Sequence, residues 1–247
     1  MTVVPERVGP PVHTIDGSEE LLERIAACET TEDWSFLLND YIQWGNNTKI
    51  SKHVGIFNLG ATHDCVNRWT DRCQVGGDEC YAVKDERTCE YVLAYARRQE
   101  CLWDCLDAQT FADAFLAICG QKRVEPRALK FLQAGDIRHT ADIQKMERIA
   151  RHLEATGPGT EAFTYSASSH LDWSAADTLT VNRSDGAADF GDRRYIAVDA
   201  PEEIPDDALW CPFDYQRAHG VAQEDRIKCG ECRLCLTDDA PDVGVTK

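Results

Sequence analysis

The hydrophobic pattern near the start of the chain predicts a pair of amphipathic helices. Ser18-Glu19-Glu20-Leu21 is typical of a helix start, and apolar residues recur behind it at helical spacing. A second apolar face begins at Thr31 and is interrupted at Gly45. Residues 1–17 are rich in proline and predict an extended arm. We therefore expect an arm and a helical cap over residues 1–50.

Short β-rich runs alternate with helical stretches over residues 51–200. A long amphipathic stretch from about Glu86 to Cys105, continuing as Thr110 to Cys119, separates the first two runs. The next helix begins at Thr140 and is broken at Gly157. Alternation of this kind predicts a parallel sheet or barrel, and hence the α/β class. The predicted strands are Val54–Leu59, Leu129–Ala134, Phe163–Ala167, Leu179–Asn182 and Tyr195–Val198.

The C-terminal region, residues 201–247, is acidic and loop-like apart from its cysteines. Cys229, Cys232 and Cys235 are separated by two residues each, and Cys211-Pro212 lies upstream. The pattern is similar to the ligand run of a bacterial-type ferredoxin, except that the Cys-Pro comes first. A turn with this spacing can aim its sulfurs at one point, so we expect a 4Fe-4S cluster. Zinc and unrelated buried thiols are the alternatives, and the last ten residues are expected to fray.

The charge composition narrows the class of partner. The chain of 247 residues has a net charge of −17 at pH 7, with 25 Asp, 18 Glu, 18 Arg and eight Lys. Direct binding to duplex nucleic acid is not expected, because phosphate neutralisation needs clustered basic side chains. Excess Asp with few Lys is a pattern we associate with proteins of a salt-saturated cytoplasm, where screening shortens the range of charge repulsion. An ordinary acidic protein is the alternative.

The compartment is expected to be the cytoplasm. No run of eighteen apolar residues exists, so we expect no membrane span. The N-terminus shows no charged region followed by an apolar stretch, and so no secretory signal. Thiols in such a compartment are kept reduced, and the twelve cysteines therefore favour metal ligation over a disulfide framework.

A second group of cysteines follows the first predicted strand. Cys65, Cys73 and Cys80 lie in the loop that leaves this strand. In parallel barrels the active site lies at the carboxyl ends of the strands. Three cysteine ligands on a cubane cluster leave one iron open, which can chelate the amino and carboxylate groups of S-adenosylmethionine. We therefore expect a second 4Fe-4S cluster here, with S-adenosylmethionine as a candidate cofactor.

Small and polar residues follow the other predicted strands, as a ligand pocket would require. Gly135-Asp136 could hold the methionyl ammonium, because a short acidic side chain beside glycine lets a backbone approach closely. Ser166, Ser169 or Asn182 could bond ribose hydroxyls. The alternative is that each was selected for the chemistry of its turn.

The order of these motifs resembles the radical S-adenosylmethionine-like gene product 88 family of tailed phages, also found in haloarchaea and their viruses. The resemblance covers roughly residues 54–236. It implies a partial TIM-type (β/α) barrel of the radical S-adenosylmethionine kind and iron–sulfur binding, in a host cytoplasm if the protein is viral. It implies no substrate. The motifs are Asn58-Leu59-Gly60-Ala61, Cys80-Tyr81-Ala82, Ala134-Gly135-Asp136-Ile137, Tyr165-Ser166-Ala167-Ser168-Ser169, and Cys211-Pro212 with Lys228–Cys235.

Two functions of different classes follow. As an enzyme, the protein would act on an unknown small molecule or macromolecule and would need an electron donor, with the C-terminal cluster in electron transfer, substrate anchoring or bracing. As a non-catalytic protein, it would be stapled by zinc or an iron–sulfur cluster and contact a partner. The spacing Cys65-x7-Cys73-x6-Cys80 is wider than the Cys-x3-Cys-x2-Cys usual in radical enzymes, which bears most on S-adenosylmethionine binding.

Overall fold

The computed structural model describes most of the chain. The described residues are 18–45, 49–70, 72–73, 80–122, 128–157, 159–184, 189–237 and 239–246. The arm predicted for residues 1–17 lies outside them, as do residues 71 and 74–79 of the three-cysteine loop.

The described strands form one open sheet in the order β1-β2-β3-β4-β5-β6-β8-β7. Strand β1 pairs antiparallel with β2, and every other neighbouring pair is parallel. The predicted α/β class and parallel order are confirmed, and β1 and β7 form the edges of the described sheet. The strands are β1 (Gln43–Trp44), β2 (Val54–Phe57), β3 (Ala128–Phe131), β4 (Glu161–Ser166), β5 (Thr180–Arg183), β6 (Arg193–Val198), β7 (Leu209–Trp210) and β8 (Val243–Thr246).

The helices of the predicted cap are present. The side chain of Thr30 accepts from the backbone N–H of Asp33, and the side chain of Asp33 accepts from the backbone N–H of Thr30. This capping box starts the second helix. The long helix predicted from residue 86 is instead broken at Cys89, which is extended (φ −136°, ψ 101°). The helices are α1 (Ser18–Ala27), α2 (Thr31–Asn39), α3 (Tyr81–Thr88), α4 (Glu90–Cys105), α5 (Ala108–Lys122), α6 (Thr140–Thr156), α7 (Pro212–Ala218) and α8 (Cys229–Cys232). None of the described helices is both long and apolar enough to cross a membrane.

Helices α1, α2, α4, α5 and α6 contribute to a large apolar core on one face of the sheet, which we call the helical face. Alternate strand residues point into this core, as the period of two requires. At its centre four buried rings, Phe57, Trp103, Phe111 and Phe131, have centroids 5.1 to 6.2 Å apart. Aromatic packing of this geometry adds to the stabilisation from burial alone.

Residues 227–237, here called the C-terminal segment, lie on the opposite face of the sheet. Leu236 packs there against Ile56, Ala128 and Phe163, whose neighbours along the strands face the helices. The fraying predicted for the last ten residues is wrong for residues 243–246, which form β8 between β6 and β7. Val243 and Val245 are buried there, and two alternating valines were too short a signal to predict a strand.

Candidate metal centre

Four cysteines from two separate parts of the chain line one cavity on the C-terminal segment's face of the sheet. Cys211 directly precedes α7, and the other three belong to the C-terminal segment. The cavity is open to solvent, and about 400 Å³ of space free of protein atoms lies in it and in its mouth together. Its lining includes Cys211, Cys229, Cys232, Cys235, Lys49, Tyr165 and Tyr195. The donor set is therefore four thiols with aromatic and basic neighbours.

The backbone of the cysteine turn reverses sharply. Helix α8 is a single turn, and Arg233 after it has φ 59°, with its N–H bonded to Cys229 O at 3.0 Å. Gly230 allows this turn to approach β2, because a Cβ at that position would lie 2.2 Å from Ser51 Oγ. Cys229 N–H also donates to Lys49 O at 2.9 Å. The turn is thus pinned against the residues that precede β2.

Polar side chains of β5 and β6 bond four consecutive carbonyl oxygens of the C-terminal segment, those of residues 234–237. Arg193, almost fully buried, donates to Leu234 O and Thr237 O. Asn182 Nδ2 donates to Cys235 O at 3.0 Å, and Thr180 Oγ1 donates to Leu236 O at 2.8 Å. We call these three side chains the cradle. These bonds fix residues 234–237, at the end of the cysteine turn, to the sheet.

Burial disfavours the thiolate form at three of these cysteines. Burial raises the pKa of Cys229 to about 12, and it also raises the pKa values of Cys232 and Cys235. A hydrogen bond with Tyr165 acts against this at Cys235. Metal binding would therefore release protons, and affinity would rise with pH.

The positions of the thiols bear on which metal fits. In the part of the chain that the structure describes, no three His, Cys, Asp or Glu side chains converge, as they stand, on a point that could hold a metal ion. Tetrahedral zinc, with Zn–S bonds of about 2.3 Å, needs sulfurs within about 4 Å of one another, so its ligands would have to turn inward. A cubane takes one thiolate at each of its irons and accepts sulfurs further apart.

The second predicted group lies at the carboxyl ends of β2, β3 and β4. Asp136 accepts from Ser166 Oγ (2.6 Å), Asn67 Nδ2 (2.8 Å) and the backbone N–H groups of Ile137 (2.7 Å) and Ala167 (2.8 Å). A carboxylate offers about four lone-pair positions, so all of them are used within the chain. The predicted contact of Asp136 with a methionyl ammonium stays a prediction, and it would require a ligand to displace one of these donors.

Cys65 lies beside this carboxylate. Burial raises the pKa of Cys65 to about 12, and the nearby Asp136 and Cys73 act in the same direction. Cys73 N–H reaches Asn67 O at 3.4 Å, and Cys80 directly precedes α3. The structure thus brings Cys65 and Cys73 into one neighbourhood at the strand ends.

Side chains of helices α3 and α4 hold the first residues of the three-cysteine loop in place. Glu86 accepts from the backbone N–H groups of Thr62 (2.7 Å) and His63 (2.9 Å). The fully buried Arg97 pairs with Asp64 and, at 3.1 Å, with Glu100. Sequence analysis missed these side chains, because nothing local marks a helical Glu or Arg as the partner of a distant loop.

Two buried polar atoms at the strand ends lack a hydrogen-bond partner among the described residues. They are Thr62 Oγ1 and Asn67 Oδ1. Both residues are almost fully buried, where an unmet polar atom is costly. A polar ligand beside Cys65 would satisfy them.

The predicted cofactor-binding residues divide between the two sites. Gly135, with φ 79°, lies against Gly60 and Thr62. Ser169 lies in the loop after β4, where its N–H donates to Ala167 O at 2.9 Å. These residues accompany Asp136 and Ser166 at the strand ends, whereas Asn182 lies in the cradle beneath Cys235.

Comparisons of the chain with protein-family models, with curated proteins and with solved structures gave no match.

Proposed function

We propose that this chain is an iron–sulfur protein whose principal centre is a 4Fe-4S cluster held by Cys211, Cys229, Cys232 and Cys235. The observation that carries the proposal is that these four thiols, from two separate parts of the chain, line a single cavity. The cradle supports it, because polar side chains of the sheet hold the cysteine turn in place. Four thiolates are the ligand set that cubane clusters take.

We extend the proposal to the strand ends, where a second cluster would be bound by Cys65, Cys73 and Cys80. Its open iron would chelate S-adenosylmethionine, and the cluster would pass on one electron from an external donor to cleave the sulfonium. The open parallel sheet would then be a partial barrel of the radical S-adenosylmethionine kind. The unpaired Thr62 Oγ1 and Asn67 Oδ1 support a polar ligand at this position. The substrate of such an enzyme has no candidate.

A non-catalytic, metal-stapled interaction protein of a halophilic archaeon or its virus is the second candidate. The feature that favours it is the place of the four-cysteine site, which joins the C-terminal segment to the sheet and leaves no ligand position open. Zinc would serve this purpose as well as a cluster would.

Iron and acid-labile sulfide in anaerobically purified protein distinguish these candidates. We expect brown protein that absorbs at about 400 nm and bleaches with dithionite. Cys211→Ser should lose the principal cluster, whereas Cys119→Ser, at a buried cysteine of the helical face, should keep it. Colourless protein that carries stoichiometric zinc would contradict the cluster.

The enzyme claim has its own test, the formation of 5′-deoxyadenosine from S-adenosylmethionine and dithionite. Replacing Cys65 with Ser should abolish this product, whereas Cys89→Ser, at an exposed cysteine before α4, should not. Protein that holds two clusters' worth of iron after Cys65, Cys73 and Cys80 are all replaced would exclude the strand-end cluster.

A further inference from the structure

Lys130 is a buried lysine without a carboxylate partner. It lies in the middle of the sheet with 8% of its surface exposed, on the face that the C-terminal segment covers. Its Nζ donates to Gln133 Oε1 at 2.7 Å and lies 4.9 Å from the ring centroid of Tyr165. Among the described residues no Asp or Glu pairs with it. A buried ammonium is costly unless an anion compensates it, and the whole chain has only eight lysines.

Cysteines of the four-cysteine site can compensate the charge of Lys130 when they are deprotonated to thiolates. Burial lowers the pKa of Lys130 to about 8, and Cys229 and Cys235 are the neighbours that favour its charged form. Tyr165 connects the two regions, because its ring lies beneath the Lys130 ammonium and its hydroxyl bonds the Cys235 sulfur. Thiolates at Cys229 and Cys235 would therefore favour the charged form of Lys130. Lys49 acts on the same sulfurs.

Lys49, unlike Lys130, has a carboxylate partner. It lines the same cavity, but its Nζ lies 3.1 Å from the carboxylate of Asp214, which is itself buried. Burial opposes its charge, yet Tyr195, Cys211 and Asp214 together raise the pKa of Lys49. Asp214 therefore cancels part of the positive field of Lys49, whereas no described Asp or Glu pairs with Lys130 in this way.

We propose that Lys130 is the countercharge of the four-thiolate centre and that it raises the reduction potential of the bound cluster. The inference rests on the iron–sulfur function proposed above. An electron added to a thiolate-bound cluster makes it more negative, so a fixed cation in the protein interior stabilises the reduced form more than the oxidised form. Lys130 thus acts on the cluster through its positive charge and does not bind the metal.

The test is a redox titration of the anaerobically reconstituted protein, followed by absorbance. Lys130→Met keeps the length of the side chain and removes its charge, and it should lower the reduction equilibrium constant of the C-terminal cluster at least tenfold, about 59 mV for one electron. Lys130→Arg retains a cation and should stay close to the wild type. To isolate the C-terminal cluster, all proteins in the series carry Cys65→Ser.

Lys145→Met is the matched control. Burial lowers the pKa of Lys145 to about 8 as well, but its ammonium bonds the carbonyls of Trp103 and Leu106 on the helical face. This variant should leave the potential unchanged. Thermal unfolding of the metal-free proteins checks folding, and there Lys130→Met should be at least as stable as the wild type, because it removes an unpaired buried cation.

The outcomes separate the two proposals. An unchanged potential in Lys130→Met, with iron and sulfide content intact, overturns the countercharge and leaves the cluster in place. A shift of the same size in Lys145→Met overturns it too, since the effect would then not depend on proximity to the sulfurs. A parent protein that takes up no iron and sulfide at the C-terminal site overturns the proposed function, and the countercharge with it.

Discussion

The two faces of the sheet are built in different ways. The helical face is a single large core of apolar side chains, in which Trp103 and Phe111 each contact both Phe57 and Phe131. The opposite face has two small apolar clusters, and between them polar side chains of the strands bond the C-terminal segment. Chain stability is therefore expected to come mainly from the first face, whereas the proposed four-cysteine metal site lies on the second.

This difference means that substitutions on the two faces should have separate effects on the protein. Apolar burial stabilises the helical face in proportion to the area removed from water, whatever the metal content. The C-terminal segment depends on directed hydrogen bonds and, if the proposed metal centre is bound, on metal–sulfur bonds as well. Substitutions on one face should therefore change global unfolding, and those on the other should change metal retention and local opening.

The largest effect is expected from Phe111→Ala. This ring is fully buried against Phe57, Trp103 and Phe131, so its removal leaves a cavity and should cost about 3–5 kcal/mol of unfolding free energy. Denaturant unfolding followed by circular dichroism measures it. Leu236→Ala, in the smaller cluster of the opposite face, is the comparison. An equal or larger loss for Leu236→Ala would contradict the contrast between the faces.

Arg193→Met should act on the cradle. The substitution leaves the carbonyls of Leu234 and Thr237 without their donor, which should cost about 1–3 kcal/mol and speed amide exchange in residues 229–237. Iron retention should fall in parallel. Arg194→Met, which removes a more exposed ion pair with Asp242, should change neither amide exchange nor iron retention. Unaltered exchange in Arg193→Met would show that the segment is held by other contacts.

The smallest effect depends on pH and lies on the helical face. Burial acts to raise the pKa of Glu147, but backbone N–H groups of residues 177–179 and Arg151 outweigh it and lower the pKa. Its carboxylate therefore adds stability above the unfolded-state pKa of about 4.3, and this contribution is lost as pH falls through the folded-state value. Glu147→Gln should cost about 1–2 kcal/mol at neutral pH.

Urea unfolding at several pH values checks this prediction. The gap between wild type and Glu147→Gln should begin to narrow as pH falls below the unfolded-state pKa of about 4.3. It should close once the pH is below the lowered folded-state pKa, where both proteins carry a neutral side chain. Glu154→Gln, an exposed position of the same helix, should show no such gap. A gap of constant size down to the acid transition would exclude a lowered pKa.

Sequence patterns predicted the elements whose signal is local. The strands β2 to β6 follow from short apolar runs separated by turn residues, and α6 follows from its apolar spacing between Thr140 and Gly157. Strand β8 escaped prediction because Val243 and Val245 make only two turns of the alternation. Helix α7 was missed because its apolar residues are few, although Pro212 at its start is a typical helix-start signal.

The cysteine ligands of the candidate site could be predicted from the sequence, but the side chains that hold the cysteine turn in place could not. Cysteine spacing is local, so Cys229, Cys232 and Cys235 could be grouped from the sequence alone. The cradle could not be predicted in this way. Thr180, Asn182 and Arg193 are brought to the C-terminal segment by the register of β5 and β6 and by the packing of a segment far away in sequence. Asn182 was instead placed at the strand ends, since its position after an apolar run looks the same for either role.

Native mass spectrometry of the anaerobically purified wild type tests most directly whether four cysteines of the C-terminal region hold one cluster. We expect a species heavier than the bare chain by four irons and four sulfides, or by twice that if the strand-end cluster is also present. One such unit should be lost in Cys211→Ser and kept in Cys119→Ser. A wild type that carries only zinc or no metal, or a Cys211→Ser variant that keeps every unit, would contradict the assignment.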